Sequence, residues 1–325
     1  MKARACRTSR AAARVSVAPP TDLRYAAAVK LSNATVAVTG ATGFLGAYLV
    51  EALLARGARV IAVVRNPDKA RELAQRGAEL RLARLEDPEA LGRAFRGADA
   101  VISNAAMIAF TRPRETMRTN VDGTRNVFEA LIRAEVPRAI NISSASAYVP
   151  SPLRVDERGR LRRGHTRALL SAYGESKAAA DRLAEQLCGA HGVGLTTFRP
   201  CGITGPADPL LKRAIEQILR LRLTPFPVLT RIGVVHGADV ASAVCSALSR
   251  PDVAIGKVYN LQGNTVSLWQ LGSAAQRHQR RGPWLRIPVP FPYLLRFDDD
   301  LARRELDFTP RGVDDILREW WPSQD

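Results

Sequence analysis

The sequence predicts an α/β fold: a doubly wound parallel sheet followed by a smaller C-terminal part. Three observations carry this. Short β-branched apolar runs alternate with helical patterns from residue 35 to residue 199. The first run ends in a glycine-rich turn that opens a helix. Glycines also stand just past the helical patterns, at Gly57, Gly77 and Gly97, where a left-handed residue closes a helix.

Thr35-Val36-Ala37-Val38-Thr39 reads as the first strand. It stops at Gly40, and beyond Gly43 the residues Leu45, Leu49 and Leu53 recur four apart on one helix face. Residues 58–64 form the second strand, Asn66 to Arg76 a helix and Glu79 to Ala83 the third strand. Asp87-Pro88 couples an N-cap with a proline at the first helical position. The apolar stretch 100–105 is the fourth strand, and Arg114 to Ala134 suits one long helix. Arg138 to Ser143 is a strand, Tyr173 to His191 a helix and Leu195 to Arg199 a strand. Such alternation requires right-handed crossovers, with ligands at the carboxyl ends of the strands. Beyond Pro200 the elements shorten and prolines multiply. Three parts are expected: a basic, disordered extension over 1–30, a dinucleotide-binding domain over 31–200 and a smaller part over 201–325. Asp239 and Val258-Tyr259-Asn260 belong to elements expected to return toward the first domain.

Composition narrows the classes. No stretch approaches 18 uninterrupted apolar residues, so no membrane span is expected. Cys6, Cys188, Cys201 and Cys245 are scattered, which fits free thiols in a reducing, cytoplasmic setting. The four histidines lack ligand spacing, so no metal site is expected. The net charge is +17, mostly from arginine. Lys2, Arg4, Arg7, Arg10, Arg14, Arg24 and Lys30 against Asp22 contribute +6 of it. These basic residues are not interleaved with aromatics and match no nucleic-acid module. The excess reads as a solvated surface that helps attract an anionic ligand, not as a nucleic-acid interface. The extension has no secretory core. It is superficially similar to an organellar transit peptide; a disordered tail or an early start codon are the alternatives.

Gly40-Ala41-Thr42-Gly43-Phe44-Leu45-Gly46 sits between a strand and a helix, the Rossmann-type setting of a dinucleotide site. Its glycines let backbone approach a pyrophosphate at the helix N-terminus. Two further strings add chemistry: Ser143-Ser144-Ala145-Ser146-Ala147-Tyr148 and Tyr173-Gly174-Glu175-Ser176-Lys177. Spacing of i, i+4 puts Tyr173 and Lys177 on one helix face. An ammonium held against a phenol lowers a pKa that is ordinarily about 10 and makes it a proton donor or acceptor near neutrality. A serine hydroxyl from a strand end then holds a substrate oxygen. That is the chemistry of carbonyl–alcohol interconversion. By itself the tyrosine–lysine pair is a weak signal.

Thr39 to Gly46, Ser144, Tyr173 and Lys177 together resemble the extended short-chain dehydrogenase/reductases, also called the NAD-dependent epimerase/dehydratase family. Asp99-Ala100-Val101-Ile102-Ser103-Asn104-Ala105-Ala106 is similar to that family's fourth strand, beside the cofactor. Asn120-Val121-Asp122-Gly123-Thr124 resembles its N-V-x-G-T helix, and Phe198-Arg199-Pro200 through Gly205-Pro206 its turn under the nicotinamide. His236-Gly237-Ala238-Asp239-Val240-Ala241 is similar to its V-H-V-D-D-V-A. The resemblance covers roughly residues 33 to 320. It implies catalysis by Ser144, Tyr173 and Lys177, with Ser143 and Ser146 as alternatives within the serine cluster. It implies cofactor binding by Gly40, Thr42, Gly43, Phe44, Leu45, Gly46, Asn104, Ala105, Ala106, Tyr173, Lys177 and Pro200, and substrate binding by the C-terminal part. Asn120 either supports a relay water or forms internal hydrogen bonds.

Arg65 follows the second strand, where NAD-preferring enzymes carry a carboxylate on the ribose. A cation there suits the 2′-phosphate of NADP, with NAD the alternative and Asp68 three residues too late for that role. The charged run Arg154 to His165 borders the site in the family; it either clasps an anionic substrate group or is a solvated surface. His165 is a poor catalytic candidate. Three functions compete: a reductase or dehydrogenase exchanging its nicotinamide, a nucleotide-sugar epimerase retaining NAD, and a non-catalytic dinucleotide sensor or assembly factor. The complete Ser144, Tyr173, Lys177 set disfavours the last. Ala145-Ser146 stands where 4,6-dehydratases carry an acid, and His236-Gly237-Ala238-Asp239 departs from the epimerase pattern. The reductase is favoured, acting on a small molecule of unspecified identity; a homodimer is left open.

Overall fold

A parallel strand flanked by crossovers is buried on both faces, and the first strand shows it. Val36 and Val38 of β1 (Thr35–Thr39) face one apolar cluster and Ala37 the opposite one. The computed structural model describes residues 30–108, 112–164, 171–219, 223–227, 230–267, 269–271, 273, 285–289 and 296–320. The expectations for residues 1–29 (with Cys6) and for His165 fall outside them.

The strands in chain order are β1, β2 (Arg59–Val64), β3 (Glu79–Leu82), β4 (Ala100–Ser103), β5 (Arg138–Ile142) and β6 (Gly194–Pro200). They continue with β7 (Gly202–Thr204), β8 (Leu223–Pro227), β9 (Arg231–His236), β10 (Val258–Leu261), β11 (Asn264–Ser267) and β12 (Leu285–Val289). Seven of them form one parallel sheet, ordered β10-β6-β5-β4-β1-β2-β3. The order reverses between β1 and β4, and a doubly wound sheet opens its ligand crevice there. Two small sheets, β11-β9-β7 and β12-β8, lie outside the large one.

Helices cover both faces. On one, α1 (Phe44–Ala55) buries Leu45, Leu49 and Leu53 in the same cluster as Val240, Val244 and Leu248 of α8 (Gly237–Ser249). On the other, α3 (Pro88–Phe95) and α5 (Gly123–Arg133) bury Leu91, Phe95, Val127, Phe128 and Leu131. Full burial of one such side chain stabilises by about 1.5–3 kcal/mol. Asp87 caps α3 by accepting from the Ala90 amide at 2.9 Å, as its position before Pro88 predicts.

Two predicted helices depart from regular α geometry. Over 66–76, Asn66 Oδ1 accepts from the Asp68 amide at 2.9 Å, and a tight 3-10 turn Pro67–Ala70 precedes the short α2 (Arg71–Gln75). Over 114–134 the helix is continuous, as expected, but α4 (Pro113–Met117) runs into α5 through a wider π-helical turn, Arg118–Asp122. That turn aims Asn120 inward, to partners distant in sequence. The fourth strand also ends early, at Ser103. Among the described residues no helix is long and apolar enough to cross a membrane, and no cluster of three or more His, Cys, Asp or Glu is placed to hold a metal ion.

Candidate active site

The carboxyl ends of β1, β2, β4, β5 and β6 open on a cleft of about 1140 Å³. Gly40, Thr42, Gly43, Phe44 and Leu45 line it, as do Arg65, Asn104, Ala105, Ala106, Ser144, Tyr173, Lys177 and Pro200. The sequence-predicted residues are thus brought together, except Gly46, which lies beneath the turn. There a side chain would collide with the Gly40 and Ala41 carbonyls.

Gly40 has φ +65°, and a β-carbon on it would stand 2.8 Å from the Ala105 α-carbon. Only glycine lets this turn lie against the segment after β4. Thr39 Oγ1 secures that approach by accepting from the Asn104 amide at 3.0 Å and the Ala105 amide at 3.2 Å. Gly43 is the N-cap of α1 and offers no capping side chain, and the first turn holds no acid. The amides at that helix start are therefore available to an anion. Ser143 Oγ is buried in the cleft wall without a hydrogen-bond partner among the described residues. An anion cradle and an unused hydroxyl in one cleft fit a dinucleotide with its polar head group.

Ser144 lies two residues beyond β5 and caps a 3-10 turn, Ala145–Ala147, its Oγ accepting from the Ser146 amide at 3.1 Å. The same hydroxyl is hydrogen-bonded to the Tyr173 phenol. Ser143 Oγ is buried in the cleft wall without a partner among the described residues, and Ser146 is exposed. Of the three serines, then, Ser144 is the one joined to Tyr173. Both Tyr173 and Lys177 lie on α6 (Ser171–His191).

The expected lowering of the phenol by the lysine is not found. Lys177 Nζ instead donates to the Ile142 carbonyl at 2.8 Å. Burial pushes the Tyr173 phenol up to about 12, with the Ser144 hydrogen bond lowering it and Asp181 raising it. Burial also pushes the Lys177 ammonium down to about 8, with Asp181 opposing. Desolvation outweighs the charge effects because α6 packs this face against the sheet.

Asn120 is internally bonded. Its Oδ1 accepts from the Met107 amide at 2.7 Å, while Nδ2 donates to the Met107 carbonyl at 3.0 Å and to Ser176 Oγ at 2.9 Å. It ties the cleft-lining segment after β4 to the second turn of α6. In the charged run, Arg154 pairs with Asp298 at 2.9 Å and Asp300 at 3.2 Å, and Arg162 Nε donates to the Ser146 carbonyl at 2.9 Å. Both arginines are engaged by the protein itself.

Sequence reasoning missed a buried polar group behind the site. Asp181 accepts from Asn141 Nδ2 at 2.9 Å and Arg199 Nε at 3.0 Å. Arg199 Nη1 donates to Tyr148 Oη at 2.9 Å, and Tyr148 Oη donates to Asn260 Oδ1 at 2.8 Å. The available signal was Asp181 itself, one helical turn beyond Lys177 on the same face.

Arg65 is exposed at the cleft edge with Lys69 nearby on the same wall. Among the described residues no carboxylate pairs with Arg65. Asp68 is engaged elsewhere, by Arg71 Nη2 at 2.7 Å.

Comparison with known proteins agrees with this architecture. The profile of the NAD dependent epimerase/dehydratase family matches residues 36–261. The chain is 35% identical to 4-hydroxy-2-methyl-3-oxo-4-farnesyl-3,4-dihydroquinoline-1-oxide ketoreductase of Stigmatella aurantiaca, over 88% of this chain and 96% of that protein. It is 31% identical to cinnamoyl-CoA reductase 1 of Arabidopsis thaliana, over 57% of this chain and 58% of that protein. Among solved structures, MoeE5 in complex with UDP-glucose and NAD superposes with a TM-score of 0.73 and 26% identity, covering 88% of this chain and 97% of that one. A family profile matched over β1 to β10, on a cleft that joins the glycine turn to Ser144, Tyr173 and Lys177, establishes that this chain belongs to the NAD-dependent epimerase/dehydratase family of extended short-chain dehydrogenases/reductases.

Proposed function

We propose that the chain is an NADPH-dependent reductase that acts on one carbonyl group and exchanges its cofactor at each turnover. What supports this is the geometry of the cleft, where Ser144, Tyr173 and Lys177 stand together beside the glycine turn and the Tyr173 phenol is hydrogen-bonded to Ser144. A phenol beside a serine hydroxyl can give its proton to a carbonyl oxygen as the carbon accepts hydride, which is the proton transfer that reduction needs. A bound nicotinamide supplies the hydride. Tyr173 gives its proton to the substrate oxygen, and Ser144 Oγ hydrogen-bonds the developing alkoxide. Lys177 spends one N–H on the Ile142 carbonyl and keeps two for the nicotinamide ribose. The α1 amides beside Gly43 hold the pyrophosphate, and Ser143 Oγ is a free partner for the carboxamide.

NADP is favoured over NAD by Arg65 and Lys69 on the cleft wall and by Asp68 being paired with Arg71. The named activities of the similar ketoreductase and cinnamoyl-CoA reductase support reduction. The test is to purify the protein, titrate it with NADPH and NADH, and follow cofactor oxidation with candidate ketones and aldehydes. NADH that stays bound through purification and cannot be displaced moves the assignment to an epimerase.

A further inference from the structure

We infer that the carbonyl substrate is an uncharged molecule with a bulky apolar tail rather than a nucleotide sugar; this rests on the reductase reading of the same cleft. Beyond the glycine turn and the Ser144–Tyr173 pair, the cleft wall includes Met107, Ile108, Ile203, Leu210, Ile232 and Phe297. Ile108 and Leu210 are 46% and 48% exposed. Large aliphatic side chains left in water at a cleft mouth are surface that an apolar ligand covers. Met107 among them adds a side chain that adapts to irregular apolar shapes.

Charge on this wall runs against a diphosphate. Among the described residues lining the cleft the cations are Arg65, Lys69, Arg118 and Lys177. Arg65 and Lys69 are taken by the cofactor reading, and Lys177 serves the reacting centre. That leaves Arg118, and Glu115 lies one helical turn away on the same wall. The N-terminus of α7 (Leu211–Leu219), a ready anion site in principle, is already closed. Asp208 Oδ1 accepts from the Leu210 amide at 2.7 Å and the Leu211 amide at 3.0 Å, and its Oδ2 accepts from Thr204 Oγ1 at 2.6 Å. A substrate diphosphate arriving there meets a buried carboxylate instead of free amides. Cys201 adds no charge, since burial pushes its thiol up and it donates to Gln262 Oε1 at 3.0 Å.

The experiment uses the full chain saturated with the oxidised dinucleotide it binds more tightly, so that binding is read without turnover. Calorimetric titration with 2-butanone, 2-octanone and 2-decanone, and with UDP-glucose, follows. Each methylene buried is worth about a three- to fourfold gain, so 2-decanone should bind at least about tenfold tighter than 2-butanone. Leu210→Asp and Ile108→Asp, both at exposed positions, should weaken 2-decanone by about tenfold or more while dinucleotide affinity is unchanged. Chain-length-independent binding, or UDP-glucose binding tighter than 2-decanone, overturns the inference. A steep chain-length dependence with no cofactor oxidation in a parallel NADPH assay supports the apolar site and removes the reductase reading. Oxidation of NADPH by small polar ketones without chain-length dependence does the reverse.

Discussion

Arg199 donates through Nε to the Asp181 carboxylate at 3.0 Å, and the two side chains are only 6% and 5% exposed. Through Asn141, Tyr148 and Asn260 this pair joins β5, α6, β6, β10 and the turn after Ser144. It lies behind the cleft and fixes the elements that carry Ser144, Lys177 and Pro200 relative to each other. Removing one member of a buried pair leaves the other charge uncompensated, whereas replacing both is far milder.

Asp181→Asn should therefore lose about 3–5 kcal/mol in denaturant unfolding, and Asp181→Leu combined with Arg199→Met should recover part of that. A loss below about 1 kcal/mol for the single variant, the range of a surface pair, would remove the pair from this role.

Tyr173→Phe removes the proton donor and keeps the ring. Turnover of a reduced carbonyl should drop about 10²–10⁴-fold, with dinucleotide affinity nearly constant. Full activity in the variant would assign proton transfer to another group.

Arg65 to alanine tests the cofactor. Charge-assisted hydrogen bonds to a 2′-phosphate contribute about 1.5–3 kcal/mol, which is roughly a ten- to hundredfold preference for NADPH. Fluorescence titration should find that preference in the wild type and its collapse in Arg65→Ala. Equal affinities in the wild type would sink the NADP assignment.

Lys177 makes stability depend on pH with a defined sign. Its ammonium titrates at about 8 in the native protein against 10.5 ordinarily. Across that window the unfolded chain binds the extra proton, so stability rises with pH. Tyr173 acts oppositely: its native value of about 12 exceeds the ordinary 10.0, so stability falls from about pH 10 upward. Lys177→Met removes the first contribution. The variant should exceed wild type at pH 7 by up to about 3 kcal/mol, less about 1 kcal/mol for the lost bond to the Ile142 carbonyl. That advantage should vanish between about pH 8 and 10.5. A constant difference over pH 7–10.5, measured by urea unfolding, would show that burial does not depress the amine.

Signals that act over a few residues were legible in the chain itself. The β-branched apolar run of β1, the Asp87 cap and the glycines of the 40–46 turn are steric and hydrogen-bonding properties of local backbone, and the structure carries each of them. The i, i+4 spacing of Tyr173 and Lys177 likewise needs only helix geometry. Folding decided what depends on distant partners and on water. The helix expected over 114–134 is present but widens to a π turn at 118–122, where Asn120 turns in toward Met107 and Ser176, which lie 13 and 56 residues away. Ser144, and neither neighbour, meets the phenol because β5 and α6 come together there. The expected lowering of the phenol is not found because Lys177 donates to the Ile142 carbonyl and desolvation, invisible in a one-dimensional pattern, is the largest effect on both groups. The apolar cleft wall, assembled from residues near 107, 210, 232 and 297, exists only once those segments converge.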